Sequence, residues 1–166
     1  MNPYVAAPFL VVVALIQSTL SPRLQIGAIW PDFMLLVVVS WALLGRLAEA
    51  LVWSLAGGLV VDLMSGGPFG GTGLALMVAT LAAAVMAEGV FRGRTVLPIA
   101  AALVASLAFH GAYLLALLLV GRPVDGLEAL LRVALPAAVY NAALSLAVYG
   151  LMVAIDRRIK PKPLRW

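Results

Sequence analysis

The sequence predicts an all-α polytopic membrane protein with six transmembrane helices, built as a single integral membrane domain over residues 1–166. Composition is the first observation, because 64% of the 166 residues are hydrophobic whereas soluble domains contain roughly 45–50%. The second is that the apolar residues run in continuous stretches, while a β-barrel requires alternation. The third is length: six spans of about 20 residues use most of the chain and leave no room for a soluble domain.

Charged residues and clusters of glycine and proline separate the six predicted spans. The spans cover residues 4–20, 31–44, 47–64, 74–91, 95–120 and 133–155, and a basic tail follows at 156–166. We expect the first span to be uncleaved, because it lacks the charged segment that begins a signal peptide. The second span is short, and an irregular interfacial segment at 24–30 is expected to supply the missing length.

The positions of the basic residues predict the orientation. If both termini lie on one side, that side carries eight of the 11 Lys and Arg residues. Cytoplasmic loops carry such an excess, so we expect both termini in the cytoplasm and a multi-pass protein of the bacterial inner membrane. The net charge of +4 then reflects topology and contact with membrane lipid, and no nucleic-acid partner is expected. The chain has no cysteine, which excludes disulfides and thiol chemistry.

Asp62 lies in the last turn of the third span and precedes a glycine-rich link to the fourth. A carboxylate at the negative end of a helix dipole needs a compensating partner. The candidate partners are the backbone N–H groups of Gly66, Gly67 and Gly70, the hydroxyls of Ser65 and Thr72, and the side chains of Arg23 and Arg132. We favour a structural role, in which Asp62 organises the glycine loop, over an ion or proton site or a contact with a partner.

The second and fourth spans carry two further patterns. Pro31 and Asp32 open the second span, and both residue types are common at the start of a helix. Small residues recur every four positions on the fourth span, a spacing that lets helix backbones approach closely in lipid. This row packs inside the protein or receives a helix of another protein, and it consists of Gly71, Ala75, Ala79, Ala83 and Ala87. Gly57 and Gly58 also remove bulk from the third span.

Polar residues inside the other spans offer no catalytic set. Gln17, Ser106, His110 and Asn141 are expected to form hydrogen bonds between helices. A Ser106–His110 pair on one helix is not by itself a nucleophile and base, and a single histidine cannot form a metal cluster. We therefore expect no enzyme activity, no catalytic residue, no metal and no cofactor.

Residues 30–74 resemble the MreD family of rod-shape-determining proteins. The similarity lies in Trp30-Pro31-Asp32-Phe33 and in the later run Gly58, Asp62, Ser65, Gly66 and Gly70, with Asn141 in the last span before a basic end. The resemblance implies a non-enzymatic scaffold of the cell-elongation complex that binds the transmembrane helix of an MreC-like partner. It links the chain indirectly to MreB, to RodA and to a class B penicillin-binding protein, and so to peptidoglycan synthesis and cell shape.

The resemblance also implies a fold like that of the substrate-binding subunits of energy-coupling-factor transporters. That fold raises an alternative function, the capture of a vitamin-like molecule from the outer side. A capture site needs several convergent polar groups in one pocket, and beyond the glycine loop the outer half of the sequence offers few. We expect the scaffold function.

Overall fold

The computed structural model of the chain describes residues 3–27, 29–88, 96–122 and 124–159, and within them it is helical with no β-strand. The all-helical fold class is therefore confirmed. The helices are α1 (Pro3–Leu20), a 3-10 turn (Ser21–Leu24), α2 (Phe33–Leu43), α3 (Leu47–Ser65), α4 (Gly71–Glu88), α5 (Leu97–Leu119), α6 (Gly126–Ala129) and α7 (Leu135–Ile159), with a π-helical turn (Leu130–Ala134) joining the last two.

Four of these helical stretches are long and apolar enough to cross a membrane. They are Ala6–Leu24, Leu47–Ser65, Leu97–Leu119 and Gly126–Arg158, the last combining α6, the π-helical turn and α7. The helices Phe33–Leu43 and Gly71–Ala87 are equally apolar but shorter. Most of the predicted basic tail lies outside the described residues, and α7 extends further than the predicted span because Asp156, Arg157 and Arg158 continue the helix.

The short helix α2 is the centre of the molecule. Nine of its 11 residues, Met34 to Ala42, are buried, and a helix that is apolar on all sides is stable only when it is enclosed. The segment before it is irregular, as expected. There Ile26 and Ile29 form an isolated bridge, and the Ser21 hydroxyl donates to the Pro31 carbonyl at 2.8 Å.

Helices α3 and α4 approach each other more closely than side chains would allow. A Cβ atom on Gly58 would overlap the backbone of Gly73 and lie 2.9 Å from the carbonyl carbon of Thr72. One turn away from Gly58, the hydroxyls of Ser54 and Thr80 form a buried hydrogen bond of 2.7 Å. Glycine and small polar residues are the means by which helices associate in lipid, and here they fix the pair that carries the glycine loop.

Arg46 joins the turn between α2 and α3 to the end of α7. Its guanidinium bonds to Glu49 at 2.7 Å and to Asp156 at 3.1 Å, and it lies 5.1 Å from the ring centroid of Trp41. Trp41 stacks on Trp53 with 4.6 Å between ring centroids. The sequence pattern assigns the basic residues to topology and predicts Asp156 as the first residue of the tail. In the structure Arg46 and Asp156 belong to a packed cluster, because Asp156 is buried.

Candidate functional site

Asp62 binds the backbone of the loop that follows it. Its carboxylate accepts the Gly70 N–H at 2.8 Å and the Thr72 N–H at 3.3 Å, and the residue is only 3% exposed. Of the candidate partners, Gly70 donates its backbone N–H to Asp62 as expected. Thr72 also donates to Asp62, but through its backbone N–H and not through the expected hydroxyl. These contacts support a structural role for Asp62, because two backbone donors at the start of α4 are satisfied by one carboxylate at the end of α3.

Two glycines of the loop have a conformation that other residues rarely adopt. Gly66 ends α3 with φ +66°, and Gly70 precedes α4 with φ +86°. Only glycine takes such values without strain. A Cβ on Gly67 would lie 2.9 Å from the Tyr113 hydroxyl, so the loop is packed against α5, and Ser65 bonds to it through the Gly67 N–H at 3.4 Å.

Asp32 and Asn141 meet in a buried polar network that connects three helices. Asp32 caps α2, because its side chain accepts the Leu35 N–H at 3.0 Å, while its own N–H donates to the Asn141 side chain at 3.0 Å. Asn141 in turn donates to the Ser106 hydroxyl at 3.0 Å. Pro31 and Asp32 therefore precede α2, and the sequence had placed them inside its first turn.

His110 adds a second residue of α5 to this network, and Gln17 extends it to α1. The Nδ1 atom of His110 lies 2.7 Å from the Ser106 carbonyl oxygen, and Gln17 accepts the Met34 N–H at 2.7 Å. Because a carbonyl can only accept, the His110 Nδ1 must carry the proton. The Ser106 hydroxyl and the His110 ring are thus not bonded to each other as a nucleophile and base would be.

A cavity of about 360 Å³ opens beside this network. Polar side chains of the network line it together with one aromatic residue before α2 and two on α5, and the shared lining includes Gln17, Trp30, Asp32, Phe109, His110, Tyr113 and Asn141. Sequence reasoning identified the polar residues singly but missed Phe109 and Tyr113. Their positions beside and one turn after His110 were the available signal.

The small-residue row on α4 faces the inside of the protein. Ala75, Ala79 and Ala83 are at most 1% exposed, and Gly71 is buried against Pro68 and Tyr113; Ala87 alone is half-buried. This burial favours internal packing over docking for the row, because α3 and α5 already pack against α4. The row serves internal packing, as does the similar row of Ala134, Ala138 and Ala142, which is also buried.

Ala79→Leu should therefore destabilise the folded protein. The larger side chain has no space at a position with 0% exposure, and overpacking a core costs about 1–3 kcal/mol. Thermal unfolding in detergent, followed by tryptophan fluorescence, measures the effect. Ala143→Leu on the exposed face of α7 is the matched control and should unfold like the original protein; equal stability of both variants would contradict the packing role of the row.

Exposed alanines lie instead between α1 and α3. Ala7, Ala48 and Ala56 are exposed and line a cavity of about 450 Å³ with Val52. A second cavity of about 370 Å³ lies between the opposite ends of the same two helices, lined by Ala14 among others. The surface of the α1–α3 pair is therefore indented and accessible, unlike the small-residue face of α4.

Comparison with known proteins identifies the family. The family model for the rod shape-determining protein MreD matches residues 1–158. The chain belongs to the MreD family. No curated protein and no solved structure gives a significant match. As a member of the MreD family the chain is a membrane protein with a role in determining rod shape, and the matched region includes Asp32, Gly58, Asp62 and Asn141.

The described part of this MreD-family chain contains no group of three or more His, Cys, Asp or Glu side chains that could hold a metal ion. Asp32 and His110 share the cavity, but the other carboxylate nearby, Asp62, is occupied by backbone N–H groups. The site consists of a glycine loop held by Asp62 and a buried polar network beside a cavity.

Proposed function

We propose that the chain is a non-enzymatic scaffold of the bacterial rod complex that binds the transmembrane helix of an MreC-like partner. The observation that carries this proposal is the indented surface between α1 and α3, where exposed alanines line a cavity of about 450 Å³. Helices associate in lipid through such small residues. The separation of the Ser106 hydroxyl from the His110 ring further favours a scaffold over an enzyme.

We infer that α2 and α4 cross the inner membrane together with the four longer helical stretches, and that both termini are cytoplasmic. The enclosed position of α2 supports this, because a span that other helices surround can be short without exposing its ends to lipid. The cluster of Arg46 and Asp156 then lies on the cytoplasmic side, and the Asp62 loop lies on the outer side. The basic excess near the termini agrees with the same orientation.

We propose the wider partners of the scaffold from the family's role in determining rod shape. Through the MreC-like partner the scaffold would connect to MreB, RodA and a class B penicillin-binding protein, and so to peptidoglycan synthesis. The likeness to energy-coupling-factor transporter subunits stays a prediction, since no solved structure matches. Nothing in the family match supports capture of a vitamin for transport, and we do not propose that function.

Filling the α1–α3 indentation should release the partner. In the double variant Ala7→Leu/Ala56→Leu, the added side chains occupy the space that a partner helix needs. Overpacking costs about 1–3 kcal/mol, so the amount of co-purified partner should fall roughly tenfold. The measurement is affinity purification of an MreC-like protein produced together with the chain in the same cells.

Ala143→Leu is again the matched control, because Ala143 is an exposed alanine of α7 that lines neither indentation. It should retain the partner at the original level. Undiminished capture of the partner by the double variant would show that the α1–α3 surface is not the docking site, while loss with both variants would show that the assay reports general damage.

A further inference from the structure

Polar and aromatic side chains line the cavity beside Asp32. Its polar lining includes Asp32, His110 and Gln17, which come from three different parts of the fold. Phe109 and Tyr113 lie parallel on α5, with 6.0 Å between ring centroids and 9° between planes. The cavity volume of about 360 Å³ is within the range of small-molecule sites, which combine apolar walls with a few placed polar groups.

The polar residues of the cavity include a carboxylate and a histidine ring. The Asp32 carboxylate lines the cavity and accepts the Leu35 N–H. The His110 Nδ1 donates to the Ser106 carbonyl, which leaves Nε2 as the ring nitrogen outside that bond. Asn141 is already engaged on both sides, by the Asp32 N–H and the Ser106 hydroxyl.

The cavity lining carries a carboxylate, that of Asp32. Tyr113, another lining residue, interacts electrostatically with both Asp62 and Arg122. Among the described residues, no lysine or arginine lines the cavity. A buried carboxylate that has lost water is stabilised by a cationic partner, and aromatic faces attract cations as well.

We propose that this cavity binds an ammonium group, carried by a small organic amine. The ammonium donates to the Asp32 carboxylate and to the His110 Nε2, while Trp30 and Tyr113 contact it through their ring faces. The amine can be free in solution or can be the headgroup of an aminolipid, which presents the same chemistry. This site shares no lining residue with the 450 Å³ cavity of the α1–α3 docking surface, although Gln17 and Trp30 also line the neighbouring cavity of about 370 Å³. Its occupancy implies no transport.

The first test uses the unaltered protein in nanodiscs of phosphatidylglycerol, a lipid without an amine. Ethanolamine is titrated and binding is followed by the fluorescence of Trp30, with Trp30→Phe identifying the part of the signal that comes from the cavity. Propan-1-ol replaces the ammonium by a methyl group at nearly the same size. Ethanolamine should bind at least tenfold more tightly than propan-1-ol, because charge-assisted hydrogen bonds are about twice as strong as neutral ones.

The second test removes the charge of the site. Asp32→Asn keeps a side-chain oxygen that can cap α2, since asparagine is as good an N-cap as aspartate. Because the variant lacks the negative charge, it should bind ethanolamine at least tenfold more weakly. Asp125→Asn is the matched control, because Asp125 caps α6 in the same way by accepting the Glu128 N–H at 3.1 Å but lies outside the cavity. It should leave ethanolamine binding unchanged.

The third arm distinguishes the two sources of the amine. In nanodiscs that contain phosphatidylethanolamine, a lipid ligand would compete with free ethanolamine for the site. In native mass spectrometry the unaltered protein would then retain this lipid, whereas Asp32→Asn would not. Competition therefore assigns the site to the lipid, and its absence assigns it to a soluble amine. Equal affinity for ethanolamine and propan-1-ol, or no ethanolamine binding together with no retained aminolipid, would overturn the proposal.

Discussion

Gly58→Ala should lower the free energy of unfolding by about 2–3 kcal/mol, the upper part of the range for overpacking a core. The added methyl group would overlap the backbone of Gly73. Backbone cannot rotate away as the end of a long side chain can, so α3 and α4 must separate. Because both ends of the glycine loop are attached to this helix pair, the separation should also weaken the contacts of Asp62. Thermal or denaturant unfolding in detergent measures the loss.

Gly111→Ala is the matched control for this change. Gly111 is also a glycine inside a helix, but nothing lies within 4 Å of the position a Cβ would take. Alanine favours helix by up to about 1 kcal/mol over glycine, so Gly111→Ala should be as stable as the original protein or slightly more stable. If Gly58→Ala proved equally harmless, the close approach of α3 and α4 would be wrong.

Asp62→Leu should lower the free energy of unfolding by about 2–6 kcal/mol, the sum for two unsatisfied donors. It leaves the N–H groups of Gly70 and Thr72 without their acceptor, and an unsatisfied buried donor costs about 1–3 kcal/mol. Asp62→Asn keeps one carbonyl oxygen and should lose only part of this stability. The measurements are the unfolding transition of each purified variant and the shape of cells that depend on it.

The comparison of the two Asp62 variants separates the roles considered for this residue. Under the structural role, stability and cell shape should decline together, with leucine worse than asparagine. Normal expression and stability of Asp62→Asn with complete loss of rod shape would instead indicate a role for the charge itself. Asp125→Asn, at an exposed cap, should leave both stability and shape unaffected.

The helices could be predicted because their signals are local. The third predicted span, 47–64, differs from α3 by one residue at its end, and the glycine loop begins where predicted. Larger differences occur where local signals are weak. The fourth helix begins at Gly71 rather than residue 74, because Asp62 accepts the N–H of Thr72 and so supports an earlier start. The α6–α7 stretch begins well before residue 133 because Asp125 caps it.

The role of the α4 row could not be predicted. A spacing of four residues shows that one face of a helix is smooth, but the same spacing serves a neighbour in the chain and a helix of another protein. The structure buries Ala75, Ala79 and Ala83, whereas the exposed alanines that line the 450 Å³ indentation are on α1 and α3. The alanines of α1 and α3 do not repeat at a regular interval, so the sequence pattern gives no signal for them.

The sequence by itself determined that lipid surrounds this chain, where a helix must stop, and which residues are costly to bury, since each of these depends on composition or on neighbours a few positions away. The tertiary structure alone decided which buried groups meet. Asp32 and Asn141 are 109 residues apart in the chain, and Arg46 and Asp156 are 110 apart. The physical reason is that a buried polar group must find a partner somewhere, but the packing of whole helices chooses which one.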